Sequence, residues 1–140
     1  MASGSGDCVF CKIIAGDIPC HRVFENDHML AFLDIAPLSQ GHTVVIPKRH
    51  SERLEQLDPE VVAAIGRQLG LLGRRVVSAT AAEGYNVLQN NGRVAGQVVP
   101  HVHFHIIPRR SDDGLGYRWN AKSAAQDELA ALARRINEAG

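Results

Sequence analysis

The chain has no long hydrophobic run and no surplus of charge of either sign, and each absence removes a class of function. Nowhere in its 140 residues is there a stretch long and apolar enough to span a bilayer, so no membrane-embedded role is expected. Fifteen basic residues balance fifteen acidic ones. No overall field therefore favours nucleic acid or an anionic membrane surface, and a phosphate-bearing ligand would have to be held by local contacts. Cysteine is scarce: there are three, an odd number, two of them as Cys8-x-x-Cys11. That usage does not suggest a secreted disulfide framework and fits reduced thiols or a metal site. Residues 1–7 lack both the basic segment and the apolar core of a secretion signal, so a flexible start and a cytoplasmic location are expected. At this length one domain, residues 1–140, is the default, and it can bury a real core.

Turn formers divide the chain into short elements. Val9 to Ala15 reads as a short helix ended by Gly16 and Pro19, bringing Cys8 and Cys11 together. Arg22 to Glu25, Met29 to Leu33 and Thr43 to Pro47 are β-prone runs separated by Asn26-Asp27 and by Pro37 to Gly41. Asp58 suits an N-cap and Pro59 a first helical position. From there Val61, Ile65, Leu69, Leu72 and Val76 recur at helical intervals, giving a long amphipathic helix. Its Gly66, Gly70 and Gly73 each cost about 1 kcal/mol against alanine, which suggests close packing on a sheet or partner helix. Tyr85 to Gln89 and Val102 to Pro108 read as the last two strands. Ser123-x-x-Gln126 resembles a capping box opening a helix with Leu129, Leu132 and Ile136 on one face, in a C-terminal extension over 111–140. Strands grouped before and after a helix predict an α+β fold with an antiparallel sheet.

The most informative stretch is His101-Val-His-Phe-His-Ile-Ile-Pro108. In an extended segment successive side chains point to opposite faces, so His101, His103 and His105 share one face while Val102, Phe104 and Ile106 line the other. Three imidazoles roughly 6.5–7 Å apart can reach one small polar group, and a polar anion would suit them. By itself Cys8-x-x-Cys11 is consistent with redox chemistry, half a zinc site or two core thiols.

His-Val-His-Phe-His-Ile-Ile resembles the histidine-triad signature of the HIT superfamily. Phe10-Cys-Lys-Ile-Ile-Ala-Gly-Asp-Ile-Pro19, Ala31 to Pro37, Gly41 to His50 and Gly96-Gln-Val-Val-Pro100 are similar to the branch of small nucleotide-binding hydrolases related to Hint proteins. The resemblance covers roughly residues 8 to 110. It implies a five-stranded antiparallel sheet with a long central helix, a short N-terminal helix and a C-terminal helix.

It also implies roles. His103 would be the nucleophile, forming a covalent nucleotidyl-imidazole on the α-phosphate of purine phosphoramidates or dinucleoside polyphosphates, and His105 would donate to phosphate oxygens. Chemically, that nucleophile must be neutral with one nitrogen free, its other N–H held by an acceptor such as a backbone carbonyl. Asp34, which alone reads equally well as a turn cap, would accept from both ribose hydroxyls. Phe10, Ile13, Phe32, Leu33 and Ile35 resemble the purine pocket, though most would be core in any case. Asn90 would contact sugar or phosphate, with turn duty beside Asn91-Gly92 as the competing role. Gln97 would approach the phosphate, whereas without the resemblance it reads as an ordinary loop amide.

Cys8, Cys11, His50 and His101 correspond to a zinc set. Two thiolates and two imidazoles would close a tetrahedral shell, making the metal structural. Cys20 has no motif partner and reads as just a small side chain, while His21, His28 and His42 belong to no comparable constellation and suit surface or strand-end roles. The sequence departs from the pattern at Val98, where the branch commonly has serine or threonine near the leaving group, and valine cannot donate a proton. An AMP-like nucleotide and a second copy of the chain are the implied partners, with no nucleic acid or membrane. A nucleotide-binding sensor or interaction protein with little turnover is the alternative, and the intact central His103 favours catalysis over it.

Overall fold

The structure, a computed structural model, describes residues 6–116 and 119–140; residues 1–5 of the expected flexible start lie outside the described residues. Five strands, β1 (Arg22–Glu25), β2 (Met29–Leu33), β3 (Thr43–Pro47), β4 (Gly84–Gln89) and β5 (Phe104–Arg109), form one antiparallel sheet in the order β1-β2-β3-β5-β4. Three helices accompany it: α1 (Val9–Ala15), α2 (Pro59–Thr80) and α3 (Gln126–Glu138). The α+β expectation and its five-stranded sheet are what the structure has.

Both faces of the central strands are covered, which is why β2 and β3 read as unbroken apolar runs. On one face α2 packs across the sheet, its Ala64, Ile65 and Leu72 meeting Met29, Ala31, Val45, Phe104 and Ile106. Asp58 opens α2 as expected, its Oδ1 accepting the Glu60 N–H at 2.9 Å. On the other face α1 contributes Phe10 to a second cluster with Leu30, Phe32, Val44 and Ile46. The pleat sorts alternate residues between the two clusters.

Three expectations need correction. The last strand starts at Phe104, not Val102, because the chain leaves the ladder before it. There the Val102 N–H donates to the Ser51 carbonyl at 2.8 Å instead of to a neighbouring strand. The alternation survives this departure, since Val102, Phe104 and Ile106 all lie in the α2-side core. Ser123 does not cap α3: the N-cap is Ala125, with no side-chain hydrogen bond. Asp127 and Glu128 in the first turn supply the negative charge that complements the helix dipole. Of the three glycines in α2, only Gly73 is closely packed, since a Cβ there would lie 2.4 Å from the Tyr85 ring. Gly66 and Gly70 face open space within the chain.

Candidate active site

The N-terminal turn is built to present two thiols. Cys8 is the N-cap of α1 and its Sγ accepts the Cys11 N–H at 3.4 Å, while Gly16 in the left-handed region (φ 87°) ends the helix after two turns. This places both sulfurs against the start of the histidine segment. Cys8 Sγ lies 3.3 Å and Cys11 Sγ 3.6 Å from His101 Nδ1. Cys11 Sγ is 3.3 Å from His50 Nδ1, and the two Nδ1 atoms are 3.1 Å apart.

Such a cluster makes poor sense as hydrogen bonding alone. The Nε2–H of His101 donates to the Pro47 carbonyl at 3.0 Å, which leaves the His101 Nδ1 lone pair pointing at the sulfurs and at His50. For zinc with bonds near 2.3 Å to sulfur and 2.0–2.1 Å to nitrogen, tetrahedral edges come to about 3.3–3.7 Å, close to the spacings found here. Cys8, Cys11, His50 and His101 could hold a metal ion, and they are the four residues the family resemblance implied. In the absence of a cation, burial holds His101 down to about 4 and pushes the Cys11 thiol up to about 11. A divalent cation among these atoms would favour the thiolate.

Each remaining histidine of the segment also has one nitrogen committed to a neighbour. His103 Nδ1–H donates to the His101 carbonyl at 2.7 Å, so its Nε2 carries the free lone pair. Burial lowers the His103 pKa against the opposing pull of that hydrogen bond, which keeps the ring neutral at pH 7. The Leu38 N–H donates to His42 Nδ1 at 3.1 Å, which puts the His42 proton on Nε2. From there it donates to His105 Nδ1 at 2.9 Å, so the proton of His105 sits on its own Nε2. The ring centroids of His103 and His105 are 4.9 Å apart. A lone pair on one imidazole is thereby set beside an N–H on the next. His42, which the sequence pattern left outside the constellation, is 3 % exposed and orients His105; the signal available was its position immediately before β3, across the sheet from His105.

These rings border a cavity of about 620 Å³. Phe10 and Ile13 from α1, Phe32 and Leu33 from β2, then Asp34 and Ile35 line one side, while Asn90, Val98, His103 and His105 line the other. All five apolar residues expected to form a purine pocket therefore border one space, with Ile35 at its rim and 89 % exposed. Phe10 stands edge-on to His103, ring centroids 5.0 Å apart. Asp34 accepts the Ala36 N–H on one oxygen at 2.9 Å, as a turn cap would, and its other oxygen lies 3.7 Å from His42 Nε2. Cys20, expected to be a plain small side chain, borders the same cavity.

Gln97 has its side chain committed to backbone groups. Its Oε1 accepts the Gly92 N–H at 2.7 Å, and its Nε2 donates to the carbonyls of Glu52 at 2.7 Å and Val99 at 3.1 Å. The side chain is buried and is not among those bordering the histidine cavity. It braces the loop by pairing the Gly92 N–H and the Glu52 carbonyl, and it shares the Val99 carbonyl with the His101 N–H. Asn90 does border the cavity, its Nδ2 reaching the Gly96 carbonyl at 3.4 Å.

Burial, with the neighbouring His103 and His42, lowers His105 to about 4 from its ordinary 6.5. The folded ring is neutral where the unfolded ring takes up a proton. Stability from this group is complete above pH 6.5 and is lost as pH falls toward 4, with no further loss below. Imidazole NMR titration should show His105 still neutral at pH about 5. A midpoint near the ordinary value would contradict the burial described.

A family model described as the HIT domain matches residues 15–112. Among curated relatives, adenosine 5'-monophosphoramidase hnt1 of Schizosaccharomyces pombe is 49% identical over 131 residues, covering 93% of this chain and 96% of its own length. Adenylylsulfatase HINT3 of Arabidopsis thaliana is 46% identical over 88% of this chain, which spans 61% of that longer protein. Among solved structures, a HIT family member from Bacillus subtilis superposes with TM-score 0.89 at 40% identity, over 94% of this chain and 96% of that one. A zinc-bound histidine triad family protein from Mycobacterium smegmatis gives TM-score 0.70 at 38% identity, over 97% and 100%. Sequence match, sheet order and histidine segment agree, and the chain belongs to the HIT family.

Proposed function

We propose that this protein is a nucleotide hydrolase or transferase that cleaves the bond between the α-phosphate of a purine nucleoside monophosphate and its substituent, through a covalent nucleotidyl-His103. The observation carrying this reading is the free Nε2 lone pair of a buried, neutral His103, fixed by a 2.7 Å hydrogen bond at Nδ1 and facing a nucleotide-sized cavity. The names of the S. pombe and A. thaliana relatives, an adenosine monophosphoramidase and an adenylylsulfatase, support it.

Phe10, Ile13, Phe32, Leu33 and Ile35 hold the base, Asp34 accepts from the ribose hydroxyls, and Asn90 contacts the sugar or phosphate. His105 donates from Nε2 to a phosphate oxygen, a charge-assisted bond that strengthens as charge builds on phosphorus. His103 Nε2 forms the N–P bond as the leaving group departs with its electron pair, and water or another acceptor then displaces the imidazole. Replacing His103 by alanine should abolish turnover while AMP still binds within a few-fold; hydrolysis retained by a cleanly prepared His103→Ala protein would sink the covalent route. Binding of AMP without turnover by the unmutated protein would point instead to a sensor.

Zinc is the metal this reading places at Cys8, Cys11, His50 and His101, where it ties the N-terminal turn to the strand entry and leaves no open position for substrate. Elemental analysis should find about one zinc per chain, and Cys8→Ser/Cys11→Ser should lose both the metal and part of the melting temperature. Zinc near zero in protein made with the metal available, with normal melting of the double variant, removes the site.

A homodimer completes the reading. The outer side of β4 exposes Tyr85 and Val87, α2 exposes Leu71, and Gly66 and Gly70 leave room for a neighbour; Gly73 does not, because Tyr85 occupies its space. Sedimentation across micromolar dilution should show twice the monomer mass, and a species of monomer mass throughout would assign these surfaces to solvent.

A further inference from the structure

The leaving group is the part of the substrate on which the histidines and the nucleoside pocket are silent, and a second cavity bears on it. It has a volume of about 350 Å³ and adjoins the first across Val98, which belongs to the walls of both. Its other walls include Arg53, Arg93, Gly92 and Glu52. With a nucleoside among the α1 and β2 side chains and its phosphorus at His103, the first cavity's remaining wall is the 90–99 loop, through Asn90, Gly96, Val98 and Val99, and this cavity adjoins it at Val98.

The two arginines are held by a framework rather than scattered on the surface. The Leu54 N–H donates to Asn91 Oδ1 at 2.8 Å, and Gln97 bonds the Glu52 carbonyl and the Gly92 N–H, both at 2.7 Å. These bonds stitch the segments bearing Arg53 and Arg93 together. Gly92, in the left-handed region (φ 95°), lets the Arg53 guanidinium close over the backbone, for a Cβ there would lie 3.1 Å from its Nη2. Among the described residues neither guanidinium has a carboxylate within ion-pair distance, and with Glu52 counted the cavity keeps one net positive charge.

We propose that Arg53 and Arg93 form a leaving-group subsite for an oxyanion, the sulfate or phosphoryl chain attached to the α-phosphate of a nucleotide. The assignment rests on the function proposed above and specifies its substrate class. The chemistry at Val98 agrees with it. When His103 Nε2 forms the N–P bond, the bridging P–O bond breaks and its electron pair leaves on a sulfate or phosphoryl oxygen. Sulfate and a terminal phosphoryl group both leave as oxyanions that are stable near neutral pH without taking up a proton, whereas a departing amine must collect one, and the Val98 side chain has none to give. Guanidiniums recognise such oxyanions with forked N–H donors and neutralise the charge that develops on them.

The test compares adenylyl sulfate, diadenosine triphosphate and adenosine 5'-phosphoramidate in the unmutated protein and in Arg53→Gln/Arg93→Gln. The double variant should lose about tenfold or more in kcat/KM, the worth of one charge-assisted hydrogen bond, on at least one anionic substrate. Phosphoramidate turnover should stay within twofold. Loss on adenylyl sulfate alone identifies sulfate as the occupant, loss on diadenosine triphosphate alone a phosphoryl chain, and loss on both a general oxyanion site. No loss on either, or an equal loss on all three substrates, overturns the assignment. Calorimetry with AMP and ADP gives a reading independent of turnover: ADP should bind several-fold tighter than AMP, and the variant should lose that preference while keeping its AMP affinity. If no substrate is turned over, the hydrolase reading fails while the ADP preference still decides the subsite; ADP no tighter than AMP, or a preference unchanged in the variant, overturns it.

Discussion

The constraint on which the rest depends is the two-sided hold on residues 101–109. Strand β5 is hydrogen-bonded to β3 on one edge and β4 on the other, and Val102, Phe104 and Ile106 are buried under α2. A slip of one residue would exchange the faces, driving the imidazoles into the apolar core and the apolar side chains toward the cavity and the cysteine cluster. Both alternatives are costly, since burying unpaired polar groups and exposing core side chains each lose several kcal/mol. The register is therefore overdetermined, and the histidines inherit their positions from the packing on the opposite face.

Within that frame one rule governs the imidazoles. Each buried ring gives one nitrogen to a fixed partner, and the other is thereby directed: His101 to the Pro47 carbonyl, His103 to the His101 carbonyl, His105 to His42. Satisfying buried polar atoms and choosing the tautomer are the same event. Burial then disfavours the charged form of all three, so His101 offers a ligand lone pair, His103 a free lone pair and His105 a free N–H. Three residues of one type at regular spacing become three different chemical groups.

Loops complete the site by bracing one another. Gln97 spends every polar atom of its side chain on backbone groups of two segments, and Asn91 reaches across to Leu54. The cavity wall opposite α1 is consequently a stitched structure whose outward side chains, Val98 and the two arginines, are free to face solvent or ligand. Positioning here comes from side-chain amides paired with backbone groups.

Much of this was legible in the chain itself. Asp58-Pro59 and the helical spacing that follows marked α2, the β-prone runs marked the first three strands to the residue, and the alternation at 101–106 separated core from site. Those features are local: capping, periodicity and pleat act over a few residues. The family resemblance also nominated Cys8, Cys11, His50 and His101, which the fold gathers from three separate segments. What the sequence could not decide were contacts made across the fold. His42 joined the histidines only because β3 pairs with β5, and Gln97 turned inward only because Gly92 and Glu52 presented unpaired backbone groups. Gly73 was separated from Gly66 and Gly70 only by where Tyr85 fell, and Ser123 lost its cap because the helix began beyond it. Sequence determined that the three histidines share one face and that the alternate residues belong to the core. Tertiary structure decided which nitrogen of each ring is free, because that depends on a partner distant in the chain whose place is set by the packing of the sheet.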